Sequence, residues 1–293
     1  VKVHLIDGTF ELFRCFHGAP RGQHDGREVG AARGFLATMV SLLSDPDVTH
    51  VAVAFDSVVA PPGRAVSNEA LIGSQAPLAA AACRALGTVM WPSGRYQADE
   101  ILATAAARFA ADEAVEQVVI CSTDNDFDQC VIGTRVVVFD RIRKVLTDEA
   151  AVFEKWGVAP DQIPDLFALV GDRSDGLPGL PGWGVRSAST MLDRYGTVDA
   201  IPLDEKTWDV RVRAKTTLAA SLRERRDEVL HCRDLSRLRI DLPLRHTTEH
   251  LEWRGADPDR VRGLCAVLGD HSVAQRVTRW SEPVVRSESR PGG

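Results

Sequence analysis

Short runs of apolar, mostly β-branched residues alternate with helix-spaced segments through the first half of the chain. Residues 2–6, 50–55, 117–121 and 135–139 have the length and composition of buried strands. Between them, 28–43, 77–86 and 98–111 carry the spacing of helices. That alternation predicts an α/β domain built on a central, mainly parallel sheet. From about residue 148 the strand pattern stops, and 148–156, 161–170, 185–195 and 216–231 predict short helices broken by Gly and Pro. The expected division is an α/β domain over 1–147, a helical domain over 148–245, and a C-terminal extension over 246–293 ending in a tail from Arg286.

The polar positions that interrupt this pattern are largely acids at strand ends. Val3-His4-Leu5-Ile6 runs into Asp7, the second strand runs into Asp56, and the third approaches Asp124 and Asp126. In open α/β sheets ligands gather outside the carboxyl ends of the strands. Asp99 and Glu100 open the predicted helix 98–111, which puts them at the same rim. Asp172 and Asp175, three residues apart, run into a Gly/Pro hairpin followed by the predicted helix 185–195. Carboxylates at that spacing can hold a divalent cation, and a hairpin feeding a helix N-terminus is a phosphate cradle.

Each acid alone is more often a turn former or helix N-cap, and the hairpin alone is equally an ordinary loop. A cluster is a different matter. Two carboxylates ~4 Å apart repel by about 4 kcal/mol at an effective dielectric near 20, so a cluster must protonate or bind cations. All-oxygen donors favour Mg²⁺ or Mn²⁺ over zinc. The eight histidines are scattered, and only His246 and His250 have helical ligand spacing. Leu5 occupies the place where phosphatases of the haloacid dehalogenase type carry their nucleophilic Asp before Asp-Gly-Thr, which excludes that chemistry.

Composition changes this picture little. The chain has 293 residues, 44% hydrophobic and 26% charged, as in ordinary soluble globular proteins. No apolar run approaches the roughly 20 residues of a membrane helix, and no signal-peptide pattern opens the chain, so a cytoplasmic protein with no membrane partner is expected. Six cysteines without Cys-x-x-Cys spacing read as reduced thiols. The net charge of −6 argues mildly against nucleic acid, yet residues 211–226 hold six basic side chains against one acid, Glu224.

Taken in order, the motifs resemble the flap endonuclease / 5′–3′ exonuclease family, which includes the N-terminal nuclease domain of bacterial DNA polymerase I. They are Ile6-Asp7-Gly8, Phe13-Arg14-Cys15-Phe16-His17, Ala54-Phe55-Asp56, Tyr96-Gln97-Ala98-Asp99-Glu100, Thr123-Asp124-Asn125-Asp126 and the segment 171–184. Arg239-Ile240-Asp241-Leu242-Pro243-Leu244 resembles the close of the family's helical domain. Each motif alone is weak, and their shared order is the signal.

The resemblance implies a PIN-like α/β nuclease domain and a helix–three-turn–helix DNA-binding module. It implies that Asp7, Asp56, Asp99, Glu100, Asp124 and Asp126 surround one metal and act in catalysis. Asp172 and Asp175 would reach toward a second. Two or more Mg²⁺ or Mn²⁺ ions would activate water and stabilise the leaving oxygen. Arg14, Gly179, Gly182, Gly184 and Arg186 would contact the DNA backbone, and a K⁺ ion often sits on the hairpin carbonyls. The implied substrate is DNA with 5′ ends or flaps, cleaved in replication or repair. At this length no polymerase domain fits, so a stand-alone, monomeric nuclease is expected.

Three departures from the family stand out. Gln97 replaces a Glu and Glu100 replaces an Asp, which bears on metal affinity. The family's arch should fall in residues 57–80, but the stretch has no Lys or Tyr, and Arg64 is its one cation. Gly176 stands where the family has Asn. Two other functions therefore stand beside the first: a catalytically weak or inactive DNA-binding protein, and a nuclease acting on RNA–DNA hybrids.

Overall fold

The computed structural model describes residues 1–56, 68–92, 94–172 and 176–282. In chain order the elements are β1 (Lys2–Asp7), α1 (Gly8–Gly18), β2 (Gln23–His24), β3 (Arg27–Glu28), α2 (Gly30–Leu43), β4 (His50–Ala54), α3 (Asn68–Leu86) and β5 (Val89–Trp91). Then follow α4 (Ala98–Ala110), β6 (Gln117–Cys121), β7 (Val136–Asp140), β8 (Val145–Thr147) and α5 (Glu149–Trp156). The helices α6 (Ile163–Val170), α7 (Val185–Tyr195), α8 (Lys215–Glu224), α9 (Arg226–Ser236) and α10 (Pro258–Leu268) complete the chain. The expected tail from Arg286 and the expected arch cation Arg64 lie outside the described residues.

The chain forms two compact units: Lys2–Ala98 with Arg245–Gly293, and Val1 with Asp99–Leu244. In the first, β1 pairs in parallel with β4, and β4 in parallel with β5. Val3, Leu5, Ile6, Val51 and Val53 are wholly buried, as expected of parallel strands covered on both faces. Phe35, Leu36, Met39, Val40 and Leu43 form the buried stripe of α2. At Gly8 an added Cβ would meet Phe55 and the Ala54 carbonyl at 2.7–2.8 Å, so glycine lets α1 start hard against β4. Asp25 and Gly26, both at positive φ, make the tight turn of the β2–β3 hairpin.

The pattern predicts a helix from residue 77, yet α3 begins at Asn68 and runs through Pro77. Packing overrides the proline here. Gln75 is fully buried, and its Oε1 accepts the Ala32 N–H of α2 at 3.0 Å.

Residues after Leu244 belong to the same unit as the first strands. The Trp253 N–H donates to the Thr49 carbonyl at 2.7 Å, and its indole N–H to the Leu86 carbonyl at 2.7 Å. Arg33 Nε donates to the Leu268 carbonyl at 2.6 Å, tying α2 to the end of α10.

In the second unit β6 and β7 are parallel and β8 is antiparallel to β7. Helix α6 is buried along nearly its whole length and packs on α9 and α7. The predicted helix 216–231 is two helices instead, because the chain leaves the helical region at Arg225 (φ −117°, ψ 26°). That break directs the Arg225 guanidinium to Glu228 and, at 3.4 Å, to the Gly179 carbonyl.

Candidate functional site

Asp124, Asp126 and Asp99 sit in one neighbourhood of the second unit. Asp124 is the N-cap of a short 3-10 helix, Asn125–Cys130, and its Oδ1 accepts the Asp126 N–H at 3.0 Å. Burial, then the charges of Asp172 and Asp128, push the Asp124 carboxyl above the ordinary carboxylate range, against the Asp126 hydrogen bond. The Cys130 thiol is pushed up to about 12, first by burial and then by Asp126, Asp99 and Asp128. In the second unit the charges of Asp172 and Asp128 thus act on Asp124, and those of Asp126, Asp99 and Asp128 on Cys130. Asp99 and Glu100 lie in the first turn of α4, where a helix N-terminus favours negative charge. The Asp99 Oδ1 accepts the Glu100 N–H at 2.6 Å.

In the first unit, Asp7 ends β1 and is the N-cap of α1, its Oδ1 accepting the Phe10 N–H at 2.9 Å. The strand register sets Asp7 beside Ala54, two residues before Asp56. The Asp56 N–H donates to Thr9 Oγ1 at 2.7 Å, and its Oδ1 accepts the Ala98 N–H at 2.7 Å. Both carboxylates therefore stand at the carboxyl ends of neighbouring parallel strands. Asp175 lies outside the described residues.

Gly171, Gly176, Gly179 and Gly182 all have positive φ. At Gly179 (φ +65°) an added Cβ would lie within 2.6 Å of Val170 and Gly171 backbone atoms, so only glycine fits. Gly176 (φ +72°) occupies a left-handed turn closed by the Leu177 N–H on the Asp172 carbonyl at 2.7 Å. Glycine at this departure suits that turn.

Trp183 is buried and its indole N–H faces the Leu218 carbonyl and Ser221 Oγ, each at 3.2 Å. Gly184 then caps α7 with extended backbone, and open space surrounds the position a Cβ would take. Arg186, in the first turn of α7, is exposed. Arg14 is less free than its place after the first strand suggests: its guanidinium contacts Glu11 at 2.5 Å and Thr38 Oγ1 at 3.1 Å.

A cavity of about 220 Å³ joins the acid turn to the hairpin, lined by Asn125, Trp156, Gly171, Asp172 and Val185 among others. A larger one of about 780 Å³ is lined by Ala103, Gln129, Cys130, Pro164 and Ile240 among others, and by none of the candidate carboxylates. Among the described residues no three His, Cys, Asp or Glu side chains are grouped as a ready ligand cage. The donor chemistry is nonetheless that of a hard divalent cation: oxygen donors whose mutual repulsion a cation would relieve.

Three residues of this site carry no signal in the motifs: Asp128, Lys155 and Trp156. Asp128 is buried and its Oδ2 accepts from Lys155 Nζ at 2.8 Å and from Trp156 Nε1 at 2.7 Å. Its place two residues after Asp126 extends an Asp-x-Asp-x-Asp pattern, the one hint available beforehand.

Residues 2–157 match the model of the 5′-3′ exonuclease N-terminal resolvase-like domain, and 158–259 that of the 5′-3′ exonuclease C-terminal SAM fold. The chain is 30% identical to the DNA polymerase I of Bacillus caldotenax over 293 residues, covering 94% of this chain and 32% of that one. It is 34% identical to the DNA polymerase I of Rhizobium leguminosarum, covering 93% and 28%. It thus spans about a third of the length of these relatives.

Among solved structures, the T5 5′-exonuclease with bound zinc ions superposes with a TM-score of 0.61 at 18% identity, covering 94% of this chain and 96% of that one. The catalytic core of Rad2 in complex with DNA substrate gives 0.62 at 14%, covering 94% and 89%. At such identities the likeness concerns the fold, a resolvase-like, mostly parallel α/β domain followed by a helical one. The two adjoining domain matches and the polymerase relatives together place this chain in the 5′-3′ exonuclease family.

Proposed function

We propose that this chain is a divalent-metal-dependent 5′ nuclease, hydrolysing DNA phosphodiesters at 5′ ends or flaps in replication or repair. The observation that carries the reading is a turn that brings Asp124 and Asp126 together, Asp124 Oδ1 accepting the Asp126 N–H at 3.0 Å, with the charge of Asp172 also acting on Asp124. Such an arrangement raises the free energy of the metal-free state and is relieved by cations. Residues 1–147 are assigned to the nuclease domain, 148–245 to the duplex-holding domain, and 246–293 to the extension.

By motif position, Asp7, Asp56, Asp99, Glu100, Asp124 and Asp126 are the carboxylates for the first ion, with Asp172 and Asp175 for the second. Bound Mg²⁺ or Mn²⁺ supplies an activated water and neutralises charge on the phosphate. The chain's own groups do the rest. Asp124 spends one oxygen on capping its turn, which fixes the direction of the other. The Gly184 N-cap and the first turn of α7 offer a phosphate the backbone end of a helix with no side chain in the way. Arg186 adds a cation there, and the hairpin carbonyls are the candidate seat for K⁺. The substrate is duplex DNA with a 5′ flap or end, including RNA–DNA hybrids, and the chain works as a monomer.

The test is cleavage of 5′-labelled flap, nicked and RNA-primed duplexes in Mg²⁺ and in Mn²⁺. Asp126→Ala, with its fold checked by circular dichroism, is expected to lose at least about a hundredfold in rate. Duplex binding without turnover by the parent chain in either metal would sink the nuclease reading.

A further inference from the structure

We propose that Lys155 is a positioning residue for the acid turn, acting through Asn125; this inference rests on the nuclease reading above. Lys155 closes the last turn of α5 and sends its ammonium back to the turn, where Nζ donates to Asn125 Oδ1 at 2.8 Å and to Asp128 Oδ2 at 2.8 Å. Asn125 is the residue between Asp124 and Asp126. The ammonium is steadied further by Trp156. The Asp128 carboxylate is only 3% exposed and is itself fixed by the Trp156 indole, and the Trp156 ring lies 4.8 Å from Nζ. One end of the brace is thus anchored in the interior, and the other holds the side chain flanked by two candidate ligands.

An ordinary surface ion pair would have no reason to reach Asn125, and its stabilising effect would be small. A lysine beside a cation site has two opposed effects: its charge repels the ion, while its hydrogen bond orders the turn. Here Asp128 already neutralises the ammonium, so the ordering effect is what remains. Within the turn, Asp124 Oδ1 accepts the Asp126 N–H at 3.0 Å and the Asp124 N–H donates to Ser122 Oγ at 3.2 Å, and Lys155 adds the tie from this turn to α5. Groups that orient metal ligands typically change affinity by about ten- to a hundredfold when removed.

The test uses the full chain and Mn²⁺ as probe: calorimetric Mn²⁺ binding without DNA, the Mn²⁺ dependence of flap cleavage, and thermal melting. Asn125→Ala and Lys155→Met are each expected to weaken Mn²⁺ binding by roughly tenfold. Their double variant is expected to be no weaker than the weaker single, since both cut one link. Lys155→Arg should return the affinity to within about twofold, because it keeps donor and charge. Charge alone predicts the opposite sign for Lys155→Met, since losing the ammonium leaves Asp128 to attract the ion. Unchanged or tighter Mn²⁺ binding in both singles, or additive losses in the double, overturns the proposal. Should Lys155→Met fail to melt cooperatively, Asn125→Ala decides alone, because it leaves the Lys155–Asp128 pair intact. A parent chain that neither binds Mn²⁺ nor cleaves overturns the nuclease reading and this inference with it. A working parent matched by Asn125→Ala overturns this inference only.

Discussion

Asp165 lies in the first turn of α6, 2% exposed, and its Oδ1 accepts the Val198 N–H at 2.8 Å. Burial pushes its carboxyl above the ordinary range, although the Val198 hydrogen bond, Arg233 and Arg237 pull the other way. A carboxyl raised in the fold favours folding below its unfolded pKa and loses that contribution as the pH climbs through the folded value. Asp165→Asn keeps an acceptor for Val198 without the buried charge. In urea unfolding it should be at least as stable as the parent near pH 7, with the gap narrowing toward about pH 4 as Asp165 takes up its proton in the fold. Asp165→Ala orphans the Val198 N–H and should cost about 1–3 kcal/mol at either pH. A parent that gains stability relative to Asp165→Asn on going from pH 4 to pH 7 would refute the sign. Contacts of this kind are what sequence conveys least. Asp7, Asp56, Asp124 and Asp126 stand out because a polar residue ends an apolar run, whereas Asp128 and Lys155 meet across 27 residues and only folding pairs them.

At the scale of the element, the segment from Gly171 to Gly184 combines glycines that the fold needs with one that it does not. Gly179 has positive φ and faces backbone atoms, so Gly179→Ala should cost well over about 1 kcal/mol and disturb the hairpin. Gly184 has extended backbone and faces open space, so Gly184→Ala should melt close to the parent. Its methyl, however, fills the space before α7 where a phosphate would approach. Duplex affinity should therefore fall several-fold with stability held, and filter binding beside thermal melting separates the two. An unchanged affinity would remove Gly184 from the DNA contact.

Element boundaries show why part of the fold was legible. Strands β1, β4, β6 and β7 are short apolar runs, and α7 falls where its spacing predicts because Gly184 and Gly196 bound it. The first turns of α3 lacked such punctuation; Pro77 argued for a start that the burial of Ile72 and Gln75 overrides. The split between α8 and α9 turns on one residue, Arg225, whose guanidinium reaches Glu228 and the distant Gly179 carbonyl.

On the scale of the whole molecule, β1 and the segment from Arg245 belong to one unit although the helical domain lies between them in sequence. Nothing in the periodicity of the last 50 or so residues announces this, because a segment held by backbone and indole hydrogen bonds has no repeat to read. The anchor is Trp253, 5% exposed, whose backbone N–H binds the Thr49 carbonyl just before β4 and whose indole binds the Leu86 carbonyl at the end of α3. Close by, an added Cβ at Gly87 would meet the Gly255 carbonyl at 2.6 Å, so the backbones touch where the segment crosses. Large-to-small replacement of a buried tryptophan costs about 3–5 kcal/mol. Against a typical stability of about 5–15 kcal/mol, that is a large share of the total. Trp253→Phe keeps most of the volume but leaves the Leu86 carbonyl without its indole donor, so it should cost less, about 1–2 kcal/mol. Guanidinium unfolding of the two variants would rank them. If Trp253→Ala shifted stability by less than about 1 kcal/mol, the C-terminal segment would be a passenger on this unit rather than part of its core.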